Sequence, residues 1–238
     1  MVGSVRNQFS LDIHDHHLRV ALTDRRMTKT SGTNGWNWTN TNVNRVVVLG
    51  TEGGDLVEVG SVGDIAPSEV IMSVRFVGDR GYVVTYRRVD PLFVIDLSDH
   101  RNPVVVGELG DIPGFSEYMH PLDENHLLTI GQDQGDVLLQ IFDVTDSTRP
   151  TQTSTHRFSN TTYGHSDAQN NHKAFTYYAS RKLLAFPYYW NPSGFRDVRS
   201  SLELFDVDIA SGISRCGSID HSDLFSSGIS SSPYWCIP

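Results

Sequence analysis

Leu92-Phe93-Val94-Ile95-Asp96-Leu97-Ser98-Asp99 is an apolar run that meets an aspartate and breaks into a short polar turn. The same form returns as Leu138-Leu139-Gln140-Ile141-Phe142-Asp143-Val144, followed by Thr145 and Asp146, and again as Leu202-Glu203-Leu204-Phe205-Asp206-Val207. An earlier copy without the aspartate is Val46-Val47-Val48-Leu49-Gly50. Behind the middle two copies a D-[LV]-[ST]-D turn leads to a proline and a further strand, Asn102-Pro103-Val104 and Arg149-Pro150-Thr151. Short apolar runs bounded by Gly, Asp, Asn and Pro are the pattern of strands and turns, and helical periodicity is almost absent.

Upstream of each copy stands a second recurring strand, at 18–22, 82–86, 126–130 and 182–186. Before that comes a third, at 8–14, 71–77, 117–122 and 173–178. Each unit therefore reads as four strands, a to d, in about 45–65 residues, which is the period of a propeller blade. The units fall at about 8–68, 69–116, 117–170 and 171–221, with a tail at 222–238. A β-sandwich also has many short strands, but it does not require the same strand–turn–proline–strand order four times. The expected fold is all-β: a β-propeller with four four-stranded antiparallel blades.

The composition agrees with a globular chain. Its 238 residues are 38% hydrophobic and 20% charged, enough for a sizeable core without metal or disulfide staples. A net charge of −9 argues against a nucleic-acid partner, because phosphate binding draws on clustered Lys and Arg. No stretch approaches the roughly 18–20 apolar residues of a membrane span, and the first residues lack the apolar core of a signal peptide.

The middle of the chain carries a resemblance. Val74-Arg75-Phe76-Val77-Gly78-Asp79-Arg80-Gly81-Tyr82-Val83-Val84-Thr85, then Arg88-Val89-Asp90-Pro91 running into Leu92–Asp99, is its most specific motif. Pro113-Gly114-Phe115-Ser116-Glu117-Tyr118 and Asp167 through Asn171 into His172-Lys173-Ala174-Phe175 add to it. The chain resembles the bacterial and archaeal secreted proteins whose C-terminal β-propeller is distantly related to WD40 repeats. That resemblance implies export, an extracytoplasmic location, and a chain that is part of a larger ring with further blades. It implies no defined activity. Where the family has Gly near His16, this chain reads Asp15-His16-His17, so the first a–b turn is unusual.

In a meander, successive connections alternate between the two ends of the sheet, so b–c loops and d–a crossovers share one face. The long segments 24–44, 158–171 and 188–200 all belong to that face, and insertions gathered on one face of a repeat protein mark its binding side. They hold Trp36, Trp38, Tyr163, Tyr188, Tyr189 and Trp190, side chains that combine large apolar area with a polar tip. These are the expected binding residues, for a protein or surface-glycan partner. His165, Asp167 and His172 are weaker candidates for a metal, zinc for the imidazoles or calcium for loop oxygens, although no cofactor is expected. They frame the alternative reading, a metal-dependent hydrolase or other enzyme on the same face. His14 to His17 read as a solvated turn, and the recurring aspartates as turn formers whose side chains accept backbone N–H bonds. Neither a G-x-S-x-G elbow, a Walker loop nor H-E-x-x-H is present. Cys216 and Cys236 would close a loop in an oxidising compartment. The leading expectation is an extracytoplasmic binding or scaffolding module.

Overall fold

The computed structural model describes residues 3–32, 35–86, 90–158, 163–192 and 198–223. Blade 1 is built from β1 (Leu11–His14), β2 (His17–Gly32), β3 (Gly35–Glu52) and β4 (Asp55–Ile65). Blade 2 contains β5 (Val70–Val77), β6 (Arg80–Tyr86), β7 (Asp90–Asp96) and β8 (Val104–Ile112). Blade 3 contains β9 (Phe115–Pro121), β10 (His126–Asp133), β11 (Asp136–Asp143) and β12 (Thr151–Arg157). In blade 4 the innermost position is shared by β13 (Gly164–His165) and β14 (Thr176–Tyr178), followed by β15 (Leu183–Trp190), β16 (Arg199–Asp208) and β17 (Gly212–Asp220). Within each blade the strands are antiparallel and lie in chain order, as the four repeats require.

Three apolar seams join the blades face to face. Ala21, Val46 and Val48 of blade 1 meet Val74, Val83 and Ile95 of blade 2. Tyr82, Val84 and Val94 meet Met119, Leu127 and Phe142. Leu128, Ile130 and Ile141 meet Leu184, Phe186 and Phe205. Strand alternation explains the pattern: β6 sends Val83 to one seam and Tyr82 and Val84 to the other, so central strands are apolar on both sides. This is the β-propeller arrangement, four blades packed side by side.

The repeat reaches into the defects of the sheets. In every blade the outer strand carries an extra residue at the same point opposite the third strand: Val59, Val106, Thr153 and Cys216. Such a bulge twists an edge strand and spoils it as a template for another chain. Next to the bulge stand Gly60, Gly107, Ser154 and Gly217. A Cβ on Gly60 would run into the backbone of His100 and Arg101, and one on Gly107 into Ser147 and Thr148. In blade 3 the equivalent Ser154 hydroxyl accepts the Ile213 N–H at 3.1 Å. The third-to-fourth-strand turn of each later blade thus sits in a notch on the blade before it.

In blades 2 and 3 those turns are the D-x-[ST]-D segments. Asp96 accepts the Ser98 N–H at 2.9 Å, and Asp99 accepts the Arg101 N–H at 2.9 Å. Asp143 and Asp146 do the same for Thr145 and Thr148. These bonds hold the carboxyls below their ordinary range: the Ser98 backbone N–H does so for Asp96, and Asn102, Thr145 and Thr148 side chains lead for Asp99, Asp143 and Asp146. Two expected strands begin later than the sequence suggested. Gln8–Ser10 and His172–Ala174 are short 3-10 turns, capped by Asn7 and Asn171, so β1 of blade 1 and β14 of blade 4 start after them.

Candidate functional site

The crossovers between blades and the connections between second and third strands do emerge at one end. At the centre of that end, β9 is bulged: Tyr118 pairs with Ile130 and Ser116 with Gly131, which leaves Glu117 as the extra residue. Gly131 permits it, because a Cβ there would strike the Phe115 carbonyl. The bulge breaks strand alternation. Tyr118 enters the seam between blades 3 and 4, and the adjacent Glu117 also turns toward blade 4, where its Oε2 accepts from Gln169 Nε2 at 2.5 Å.

Gln169 is itself fixed. Its Oε1 accepts the Ser166 N–H at 2.8 Å, and the Ser166 hydroxyl accepts from Ala168 N and donates to the Pro187 carbonyl at 2.5 Å. Burial pushes the Glu117 carboxyl above its ordinary value, opposed by the Gln169 bond and by the charges of His165 and Arg6. Beside it, His165 Nε2 lies 4.0 Å from Asp167 Oδ1, and the Tyr189 hydroxyl donates to Asp167 Oδ2 at 3.5 Å. Desolvation raises the Tyr189 phenol. The result is a half-buried carboxyl, an amide, an imidazole and a phenol in one place, and two residues before His165 the ring of Tyr163 is exposed. Such a set recognises a polar partner by hydrogen bonds and offers aromatic edges for packing.

The residues expected from sequence divide into separate groups. Tyr188 is a correction: it is 4% exposed and packs in the seam between blades 3 and 4, 4.3 Å from Phe158 between ring centroids. Alternation along β15 sends Leu184, Phe186 and Tyr188 to that seam and turns Tyr189 away. Trp190 is half-buried and stacks on Tyr188 at 5.3 Å. Trp36 and Trp38 lie on blade 1, where segment 24–44 is not a loop but the outward continuation of β2 and β3 as a two-stranded arm. His172 does not join His165 and Asp167: it accepts from Gln8 Nε2 at 2.7 Å and packs edge-on against Phe9. Among the described residues, no group of three or more His, Cys, Asp and Glu is arranged to hold a metal. Cys216 is exposed on the outer strand of blade 4, and Cys236 lies outside the described residues.

At the opposite end, Asp15 and His16 take positive φ (44° and 62°), the geometry of a two-residue hairpin turn, so His14 pairs with His17. His14 Nε2 bonds Asp79 Oδ1 at 3.0 Å, and His17 lies 4.1 Å from His100 between centroids, on a shallow cleft of about 420 Å³. This cluster joins blades 1 and 2. Glu117 and Gln169 escaped the sequence reading. The usable signal was Gly131, a glycine inside a strand.

Comparison with known proteins agrees with this architecture. An uncharacterised protein of Archaeoglobus fulgidus is 38% identical over 185 residues, 78% of this chain and 26% of its own length. One from Methanocaldococcus jannaschii is 31% identical over 207 residues, 87% of this chain and 31% of its own. The chain thus spans less than a third of either relative. The crystal structure of a eukaryotic initiation factor overlays with a TM-score of 0.43 at 14% identity, covering 91% of this chain and 55% of that one, too distant to bear on function. Residues 1–236 match the model of the Beta propeller domain, and with four blades of the matching architecture the chain belongs to that family.

Proposed function

We propose that this propeller is an extracytoplasmic binding or scaffolding module that engages a protein or surface glycan through the end bearing the long connections. The observation that carries the reading is the bulge in β9, which sets Glu117 against Gln169 beside His165, Asp167 and Tyr189. A bulge on an innermost strand re-aims a polar side chain at a cost to the ladder, and such departures gather at functional sites. The blades supply a rigid frame, and the crossover 163–171 supplies the groups that touch a partner.

The reading is tested by placing a photo-crosslinker at Tyr163 in the full-length protein and exposing it to its own envelope fraction. One reproducible adduct is expected, reduced at least tenfold by Glu117→Ala combined with Tyr189→Ala. Adducts that are diverse and insensitive to those changes would overturn the site. Recovery of the full-length protein in the cytoplasmic fraction would overturn the location.

A further inference from the structure

The arm on blade 1 is a separate surface with its own chemistry. Beyond Thr23 and Asn44, β2 and β3 continue as a pair through nine rungs from Asp24–Val43 to Gly32–Gly35, held at the base where the Asn42 carbonyl accepts the Ser68 N–H at 2.9 Å. At about 3.3 Å per residue the ribbon extends roughly 30 Å. Directly opposed residues share a face, so Arg25, Met27, Lys29 and Ser31 lie with Asn42, Asn40, Trp38 and Trp36. The other face is Arg26, Thr28 and Thr30 with Thr41, Thr39 and Asn37. One side is aromatic, aliphatic and cationic, and the other is mostly Thr and Asn.

The first face is open to solvent: Trp36 is 63%, Trp38 60% and Met27 64% exposed. Lys29 Nζ stands over the Trp36 ring at 4.1 Å and the Trp38 ring at 5.4 Å, which holds both indoles on one side of the ribbon around a single cation. The arm, residues 24–43, contains Arg25, Arg26 and Lys29 against the single acid Asp24, which pairs with Arg26 at its base at 3.2 Å, on a chain of 28 acidic and 19 basic side chains. The arm's length exceeds the Debye length of about 8 Å several times over, so its tip does not feel the acidic body at physiological salt. A chain of net charge −9 overall therefore carries a basic, indole-bearing probe held well away from its acidic body.

We infer that this arm docks the protein on the surface of an anionic lipid bilayer. Indoles and a methionine side chain settle at the level of the headgroups, where an apolar body and a polar N–H are both satisfied. Arg25 and Lys29 keep their stems along the rings and their charges on lipid phosphates. A bilayer fits better than an acidic protein because the arm is a two-stranded ribbon whose indoles and methionine stand open to solvent, and a fluid interface needs no complementary cavity. The inference goes beyond the binding site at the centre of the blades and does not depend on it, since none of the residues involved is shared.

The test is co-sedimentation with vesicles of phosphatidylcholine carrying about 30% phosphatidylglycerol, beside vesicles of phosphatidylcholine alone. Binding is expected only with the anionic lipid, with a blue shift of tryptophan emission and release at high salt. Trp36→Ser with Trp38→Ser should weaken partitioning at least tenfold, and so should Arg25→Gln with Lys29→Gln, while neither pair changes the melting temperature. Unchanged binding by either folded double variant would overturn the assignment, as would equal binding to neutral vesicles or none to either. Capture of soluble dextran sulfate without vesicle binding would give the arm to a glycan and overturn it equally.

Discussion

Single charges buried at the seams set the local stakes. Glu203 is 1% exposed on β16 and is met by Arg215 Nε at 2.6 Å and Nη2 at 3.0 Å, with the Ser201 hydroxyl donating at 2.6 Å. Removing the cation would strand a carboxylate, so Arg215→Ala should lose about 3–5 kcal/mol in denaturant unfolding, and Glu203→Leu with Arg215→Leu should recover most of it. His120 is a second case. Burial among Tyr118, Phe175 and Tyr177, with Arg75 adding repulsion, lowers its pKa from 6.5 to about 4. The unfolded chain therefore binds this proton more readily than the fold. Stability is complete above about pH 6.5 and is lost as pH falls toward 4, with solvent at the half-buried ring screening part of the effect. Chemical denaturation across that window should show the loss, and His120→Phe should remove most of it. Among the aromatics singled out by sequence, Tyr188→Ala should cost about 2–4 kcal/mol through the cavity it leaves, whereas Trp36→Ala should change stability by less than about 0.5 kcal/mol.

At the scale of the strand, one position tests whether the blades form their seams as the repeats imply. Gly60, Gly107 and Gly217 occupy the same place beside the outer-strand bulge. Only the first two face the backbone turn of a following blade, while no atom among the described residues lies within 4 Å of a Cβ at Gly217. Alanine at Gly60 or Gly107 must push a neighbouring blade outward and should cost about 1–3 kcal/mol. Alanine at Gly217 should be neutral or stabilising by up to about 1 kcal/mol, because it restricts the unfolded chain alone. Equal effects in thermal melts of the three variants would contradict the seam geometry. The arm is the opposite kind of element: its tip packs on no seam, so its sequence is free to serve contact rather than stability.

Across the whole molecule, the segment before β1 acts as a tie. Phe9 lies 5.3 Å from the Tyr118 ring, 5.3 Å from His172 and under the Arg75 guanidinium at 4.5 Å. It thereby links the chain leading into blade 1 to the innermost strands of blades 2 and 3 and to the start of blade 4. Phe9→Ala should cost about 2–3 kcal/mol, and hydrogen exchange should show lost protection in β9 and β14 as well as in β1. Loss confined to β1 would mean that blade 1 alone depends on it. Further ties of this sort are ionic: Arg19, paired with Asp12, donates to the Gly78 carbonyl at 2.6 Å, and Arg80 donates to Val144 at 3.0 Å. Each fastens a blade to the one that follows.

Blade count, strand order, the turn role of the D-x-[ST]-D aspartates and the shared face of the insertions were legible in the chain, because they depend on near-neighbour periodicity and on meander geometry. Trp36 and Trp38 were expected in a loop beside the other aromatics, and the structure sets them instead on the two-stranded arm of blade 1. Tyr188 was not, since whether an alternating aromatic faces a seam depends on the next blade, which the local pattern does not contain. The site around Glu117 needed the tertiary structure most. Its bulge exists because Gly131 lets two backbones approach, and its partners, Gln169, His165 and Tyr189, come from a blade some 50 to 70 positions away. Sequence set what each strand could bury. Only the packing of one blade on another decided which polar groups would meet, because that meeting follows from register and defects in the sheets rather than from spacing along the chain.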